Sequence, residues 1–339
     1  MGECDRGRPR QLLPADRLRL HPRVRQGLHE AAPPVPNDVL HPLQRNPGMK
    51  LNPGIHPSIS IDDYVFDRLC ETPTLSSSVA NTILDRSLAH ARLQHARFNP
   101  AIALEQEFSR PANLGTAVHA MVFGGAHIVV IDADSYKPKE AQNLRDRTLI
   151  EGGVPLLREE HMRASAIADV AGKAVADLSA EALDLEHTII FNHGPTLCRT
   201  RPDAISKDRR LILDLKVTGT NARDANRQFF SQGYDLQAAF LEAGADFLDE
   251  DGMGKREIIY LFVESEPPFA HSMLQVSEGT LSIARKKMRA AVNLWDRALR
   301  KNEWPAYQSS RTLTERPSWD ESSWLNREMT DPMIKEEAA

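Results

Sequence analysis

Asp203, Asp214 and Lys216 are the residues whose types and spacing could do chemistry. They lie in two short apolar runs, 196–205 and 211–217, each carrying a carboxylate, with the lysine two residues past the second acid. Leu211, Leu213, Leu215 and Val217 alternate with Ile212, Asp214 and Lys216, the two-residue period of a half-buried strand. That period puts Asp214 and Lys216 on one face, away from the core. The polar Ser206-Lys207-Asp208-Arg209 between the runs reads as a turn, so a hairpin brings Asp203 beside Asp214. Such a set can be an ordinary solvated cross-strand pair. Aspartate is depleted in strands, however, and two in neighbouring runs favour a use. Two acids and a lysine at the edge of a small sheet can hold Mg²⁺ and position a water, as hydrolysis of a phosphodiester requires.

Other elements must hold these residues in place. Serines ahead of an apolar-periodic stretch predict a helix over 77–91. A second helix over 114–122 carries His119 among small residues that permit close packing. Residues 141–183 read as mainly helical, broken at Gly152-Gly153-Val154-Pro155, with an amphipathic Ala-rich helix over 159–178. Strands follow over 186–192, 196–205 and 211–217. A long helix over 222–243 sets Phe230, Tyr234, Gln237 and Leu241 on one face. Strands over 257–263 and 271–276 precede a final helix over 278–301. This order predicts one α/β domain over 49–305, with a mixed central β-sheet flanked by helices. Its helical N-terminal part (49–183) wraps the catalytic sheet core (184–305). Residues 1–48 are rich in Arg, Pro and His and lack periodicity; they read as a disordered leader, with Met49 a candidate start and a basic DNA-binding arm the alternative. Residues 306–339 read as a poorly ordered tail.

The bulk numbers set few limits. The chain has 339 residues, 41% hydrophobic and 26% charged, an ordinary globular composition. A net charge of −5 advertises no nucleic-acid partner, although a local basic track can coexist with it. Cys4, Cys70 and Cys198 are isolated, which gives no disulfide framework and no zinc or iron–sulfur spacing and suggests a reducing, cytoplasmic setting. No run approaches the roughly 18 apolar residues a membrane span needs, so no membrane partner is expected.

In sequence order, Pro53-Gly54-Ile55-His56 with Asp63-Tyr64, Leu75-Ser76-Ser77-Ser78, Gly115-Thr116-Ala117-Val118-His119, Arg201-Pro202-Asp203, Asp214-Leu215-Lys216 and Gly233-Tyr234-Asp235-Leu236-Gln237-Ala238-Ala239-Phe240 resemble the exonuclease VIII (RecE-type) nucleases of the PD-(D/E)xK superfamily, found in phages and prophages. The resemblance spans about residues 50–305. It implies a PD-(D/E)xK core in which Asp203 and Asp214 bind metal, Leu215 offers its carbonyl to it, and Lys216 orients the attacking water and offsets charge on the phosphate. It further implies that His119 and Glu186, the latter opening the first strand, lie at the metal. Gln237 and Tyr234 match a helix motif that flanks the active site and contacts DNA. Leu241 departs from the pattern, which commonly has tyrosine there, and puts that DNA contact in doubt. Arg199, Arg201, Arg223 and Arg227 flank the site as candidate phosphate contacts, with Arg285, Lys286, Lys287 and Arg289 as a second cluster.

The activity so implied is a Mg²⁺-dependent DNA exonuclease, with Mn²⁺ as a substitute, working 5′ to 3′ on duplex ends to leave 3′ overhangs for phage-type recombination. Its implied partners are DNA, a single-strand annealing protein and further copies in a homo-oligomeric ring. An endonuclease or single-strand nuclease of the same fold, or an idle DNA-binding recombination protein, are the alternatives.

Overall fold

A computed structural model of the chain describes residues 49–99, 110–179, 181–249, 254–307 and 313–337. The leader expected over 1–48, including Cys4, lies outside them. The centre is β8 (Leu211–Thr218), which pairs in parallel with β9 (Glu257–Glu264), Asp214 opposite Tyr260 and Lys216 opposite Phe262. With β4 (Leu183–Leu185), β7 (Ala204–Ser206) and β10 (His271–Gln275) they form a mixed five-stranded sheet ordered β10-β9-β8-β7-β4. A second sheet is ordered β1-β5-β6, from β1 (Gly54–His56), β5 (Thr188–His193) and β6 (Thr196–Thr200). β2 (Ile128–Ile131) and β3 (Val154–Leu157) form a small parallel pair.

The adjacent parallel strands β8 and β9 are covered on both faces, as parallel crossovers require. On one face Leu213, Leu215, Ile259 and Leu261 pack against α4 (Arg110–Phe123) and α6 (Arg158–Leu178). On the other, Ile212, Tyr260 and Phe262 meet α7 (Ala225–Ser231) and α8 (Tyr234–Phe247). β8 is therefore not half-buried: Asp214 points into a covered face and is 1% exposed. α8 is shared between the sheets. Its Leu236, Ala239 and Phe240 join α2 (Ser77–Asp85), α3 (Leu88–Gln94) and α9 (Glu278–Lys301) over Ile189 and Phe191 of the second sheet, around the fully buried Trp295.

Several expected elements are divided. The helix expected over 77–91 ends at Asp85, and Ser87 caps α3 by accepting the His90 N–H. The helix expected over 222–243 is a 3-10 turn, α7 and α8, interrupted at Gly233, whose φ is +71° and where a Cβ would collide with Asn81. Phe230 thus sits exposed on α7 while Leu241 is core on α8, and the four residues do not share a face. The stretch 141–183 divides into α5 (Lys139–Ile150), β3 and α6. The run 196–205 splits between β6 and β7, in different sheets. The tail forms α10 (Ser318–Thr330), which buries no residue, and α11 (Pro332–Glu337). α1 (Ile61–Val65) borders the site. Cys70 and Cys198 are free and buried. Among the described residues no helix is long and apolar enough to cross a membrane.

Candidate active site

Between β4 and β7 the chain changes sheets twice, at neighbouring points. It leaves the five-stranded sheet after β4 to enter the second sheet at β5, and returns between β6 and β7. Glu186 occupies the first crossing and Asp203 the second, tied by a 3.0 Å hydrogen bond from the Glu186 N–H to the Asp203 carbonyl. Glu186 does not open a strand, as its sequence position suggested. It takes a left-handed conformation (φ +55°) that turns the chain out of β4. β7 pairs with β8 only as far as Leu213, and Asp203 Oδ2 takes up the next free donor by accepting the Leu215 N–H at 2.6 Å.

His119 reaches this seam from α4, whose buried Ala117 and Val118 let the helix lie close on β8. Its Nδ1 is 3.4 Å from Asp203 Oδ1 and 3.9 Å from Glu186 Oε1. One ligand atom from each of His119, Glu186 and Asp203 lies within 4.8 Å of the others. Two carboxylates and an imidazole at that spread fit one divalent cation with bonds of about 2.0–2.6 Å. Asp214 stands outside this group. Its Oδ2 accepts from Gln237 Nε2 at 2.7 Å, its Oδ1 is ion-paired with Lys216, and the Lys216 Nζ lies 4.6 Å from the Tyr234 ring centre. Leu215, between them, is fully buried and meets the site through its N–H.

The electrostatics tie the two halves together. Burial works to raise the Asp203 carboxyl, but His119, Lys216 and the Leu215 N–H outweigh it and hold the group below the usual carboxylate range. Burial pushes Asp214 up to about 6, helped by Asp203 and opposed by Lys216. Burial alone would lower His119, yet Asp203 and Glu186 push it up to about 10. The carboxylates thus retain a proton on His119, in the place where a cation could replace it. The site opens into a cleft of about 980 Å³ whose walls include Tyr64, Ser76, Ser78, Gly115, Lys216 and Gln237.

The arginines depart from expectation. Arg199 is buried: its Nη1 donates to the Thr74 carbonyl at 2.6 Å and hydroxyl at 2.7 Å and lies 3.1 Å from Asp67 Oδ1, so it holds the core rather than a phosphate. Arg201 donates from Nε to Glu186 Oε2 at 2.6 Å. Arg227 is exposed on α7. In the second cluster Arg285 pairs with Glu242 and Glu278, and Lys287 with Asp235. Sequence reasoning missed Asp67, and it took Ser76–Ser78 as a helix start and as part of the resemblance without assigning them a place in the cleft. The run Leu75-Ser76-Ser77-Ser78 was the available signal; in the structure Leu75 bridges to Cys198 and Ser76–Ser78 line the cleft.

Residues 94–313 match the family described as "PDDEXK-like domain of unknown function (DUF3799)". No curated protein matches the chain. Among solved structures, the fold is similar to that of a candidate exonuclease from Eubacterium rectale, at 12% identity and a TM-score of 0.50, covering 76% of this chain and 93% of that one. A phage-related exonuclease from Haemophilus somnus matches at 13% identity and a TM-score of 0.30, covering 55% of this chain and 95% of that one.

Proposed function

The chain belongs to the PDDEXK-like domain family (DUF3799), and from that membership and the geometry of its acidic seam we propose that it is a metal-dependent deoxyribonuclease. The observation that carries this reading is the convergence of His119, Glu186 and Asp203 from three separate elements, beside Lys216, on one open cleft. A divalent cation held there, Mg²⁺ or Mn²⁺, supplies Lewis acidity, offsetting charge on the phosphate and making a bound water more acidic. Asp203 and Glu186 would give it hard oxygen ligands, with His119, after loss of its proton, and the Leu215 carbonyl as further donors. Lys216 is cationic, because Asp214 and Asp203 outweigh the burial that would lower it; it orients the water and stabilises the charge that builds on the phosphoryl oxygens. Asp214 and Gln237 fix the lysine, and Tyr234 offers it an aromatic face. Arg227 on the exposed side of α7 is a candidate backbone-phosphate contact, giving little base preference.

The finer reading is an exonuclease that degrades one strand of a duplex from its 5′ end, leaving 3′ overhangs for phage-type recombination with an annealing partner, as a homo-oligomeric ring. It rests on the RecE-type resemblance. The test is duplex DNA labelled at the 5′ or the 3′ end, incubated with and without Mg²⁺, beside a supercoiled plasmid. Early release of the 5′ label as mononucleotide, only with metal, is expected. Plasmid nicking without end-dependent release would favour an endonuclease, and no cleavage of any DNA would overturn the reading.

A further inference from the structure

Arg201 was expected to touch DNA, and its surroundings point elsewhere. It stands just before Asp203, in the crossing from β6 to β7, with a side chain only 9% exposed. Its Nε donates to Glu186 Oε2 at 2.6 Å, and its Nη1 donates to the Ile59 carbonyl at 2.8 Å and reaches the Thr188 hydroxyl at 3.3 Å. One guanidinium therefore ties together the two crossings and the segment before α1. Glu186 has a left-handed backbone just past the end of β4, tied to Asp203 through its N–H alone, so its carboxylate direction depends on side-chain contacts. With Oε2 committed to Arg201, Oε1 is the oxygen left facing His119, 3.9 Å away.

We infer that Arg201 is a positioning residue: it locks Glu186 so that a single oxygen is presented to the metal, and does not bind the nucleic acid backbone. The inference rests on the metal-site reading above. A planar guanidinium suits this task because it holds a carboxylate while bonding a carbonyl and a hydroxyl in fixed directions; an ammonium has no such fork. Residues that orient ligands typically change metal affinity by about 10- to 100-fold when removed.

The experiment is calorimetric titration of Mn²⁺ into the full chain without DNA, for wild type, Arg201→Gln, Arg201→Lys, Glu186→Gln and the Arg201→Gln/Glu186→Gln double variant, with melting temperatures measured in parallel. Arg201→Gln is expected to weaken Mn²⁺ binding by about tenfold or more, and the double variant to bind no more weakly than Glu186→Gln alone. Should Arg201→Gln not fold, Arg201→Lys carries the test, with a similar loss expected. Excess Mn²⁺ should then restore cleavage with the KM for DNA unchanged. An unchanged Mn²⁺ Kd with a raised KM for DNA would overturn the inference and return Arg201 to a phosphate contact. Additive losses in the double variant would also overturn it. A wild-type chain that binds no Mn²⁺ would instead overturn the metal-site reading itself.

Discussion

Two buried aspartates, each beside a histidine and a cationic side chain, lie in opposite surroundings in this fold. Asp67 accepts from the Thr74 N–H and hydroxyl, lies 3.1 Å from Arg199 Nη1 and 3.3 Å from His95 Nε2, and is 1% exposed. Both carboxylate oxygens have partners and the surroundings are closed. Asp203 also has a histidine and a lysine nearby, but two further carboxylates, Glu186 and Asp214, crowd the same place, and the cleft opens onto it. The first cluster is balanced and mortared into the core. The second sets Asp203, Glu186 and Asp214 against His119, Lys216 and Arg201, but it opens onto the cleft, where a cation could take the place of the His119 proton. Residue types alone do not separate a ligand set from a structural one; access to solvent and a displaceable proton do.

The largest expected difference follows from removing each acid. Asp203→Ala or Lys216→Ala should lower the cleavage rate per folded molecule by about 10²–10³-fold or more. Asp67→Ala should do the reverse: leaving Arg199 buried without its partner costs about 3–5 kcal/mol, while activity per folded molecule persists. Thermal melts and end-labelled assays on the same preparations check both, and an Asp67→Ala that folds normally but is inactive would break the comparison.

The histidines should divide the same way, with smaller effects. His119→Ala is expected to move the metal titration to about 10- to 100-fold higher concentration with little change in melting temperature. His95→Ala should lower the melting temperature and leave the metal titration in place, since His95 also packs against Phe98 and Trp295. The arginines give the mildest contrast on activity. Arg199→Ala should destabilise the fold by an amount similar to the Asp67 change. Arg227→Ala should leave the melting temperature alone and raise the KM for DNA by only about two- to tenfold, more at high salt.

The contrast also explains what could be read from the sequence. α9 is periodic over 24 residues, β8 alternates over its 8 and β9 carries an unbroken apolar run within its 8, and their expected bounds lie within a residue of those found. β2 and β3 were missed because each is four residues long and Gly153 and Pro155 read as a break. The division of 196–205 was signalled by Pro202, which cannot donate to a ladder, but each half keeps an apolar pattern and the run was read as one strand. Which sheet a strand joins is decided by distant partners, not by its own residues. That is also why Asp203, Asp214 and Lys216 could be singled out from local pattern, whereas the grouping of Glu186 and His119 with Asp203 came through resemblance. The difference between Arg199 and Arg201, two residues apart, depended wholly on what folds against them: Asp67 and Thr74 for one, Glu186 for the other.

The central claim is that His119, Glu186 and Asp203 together hold a divalent cation. Anomalous diffraction from crystals soaked in Mn²⁺ tests it most directly. The account predicts a Mn²⁺ peak about 2.0–2.6 Å from an oxygen of Asp203 and an oxygen of Glu186, with the His119 ring turned toward it. A peak held by Asp67, or none in the cleft at a concentration that supports cleavage, would contradict it.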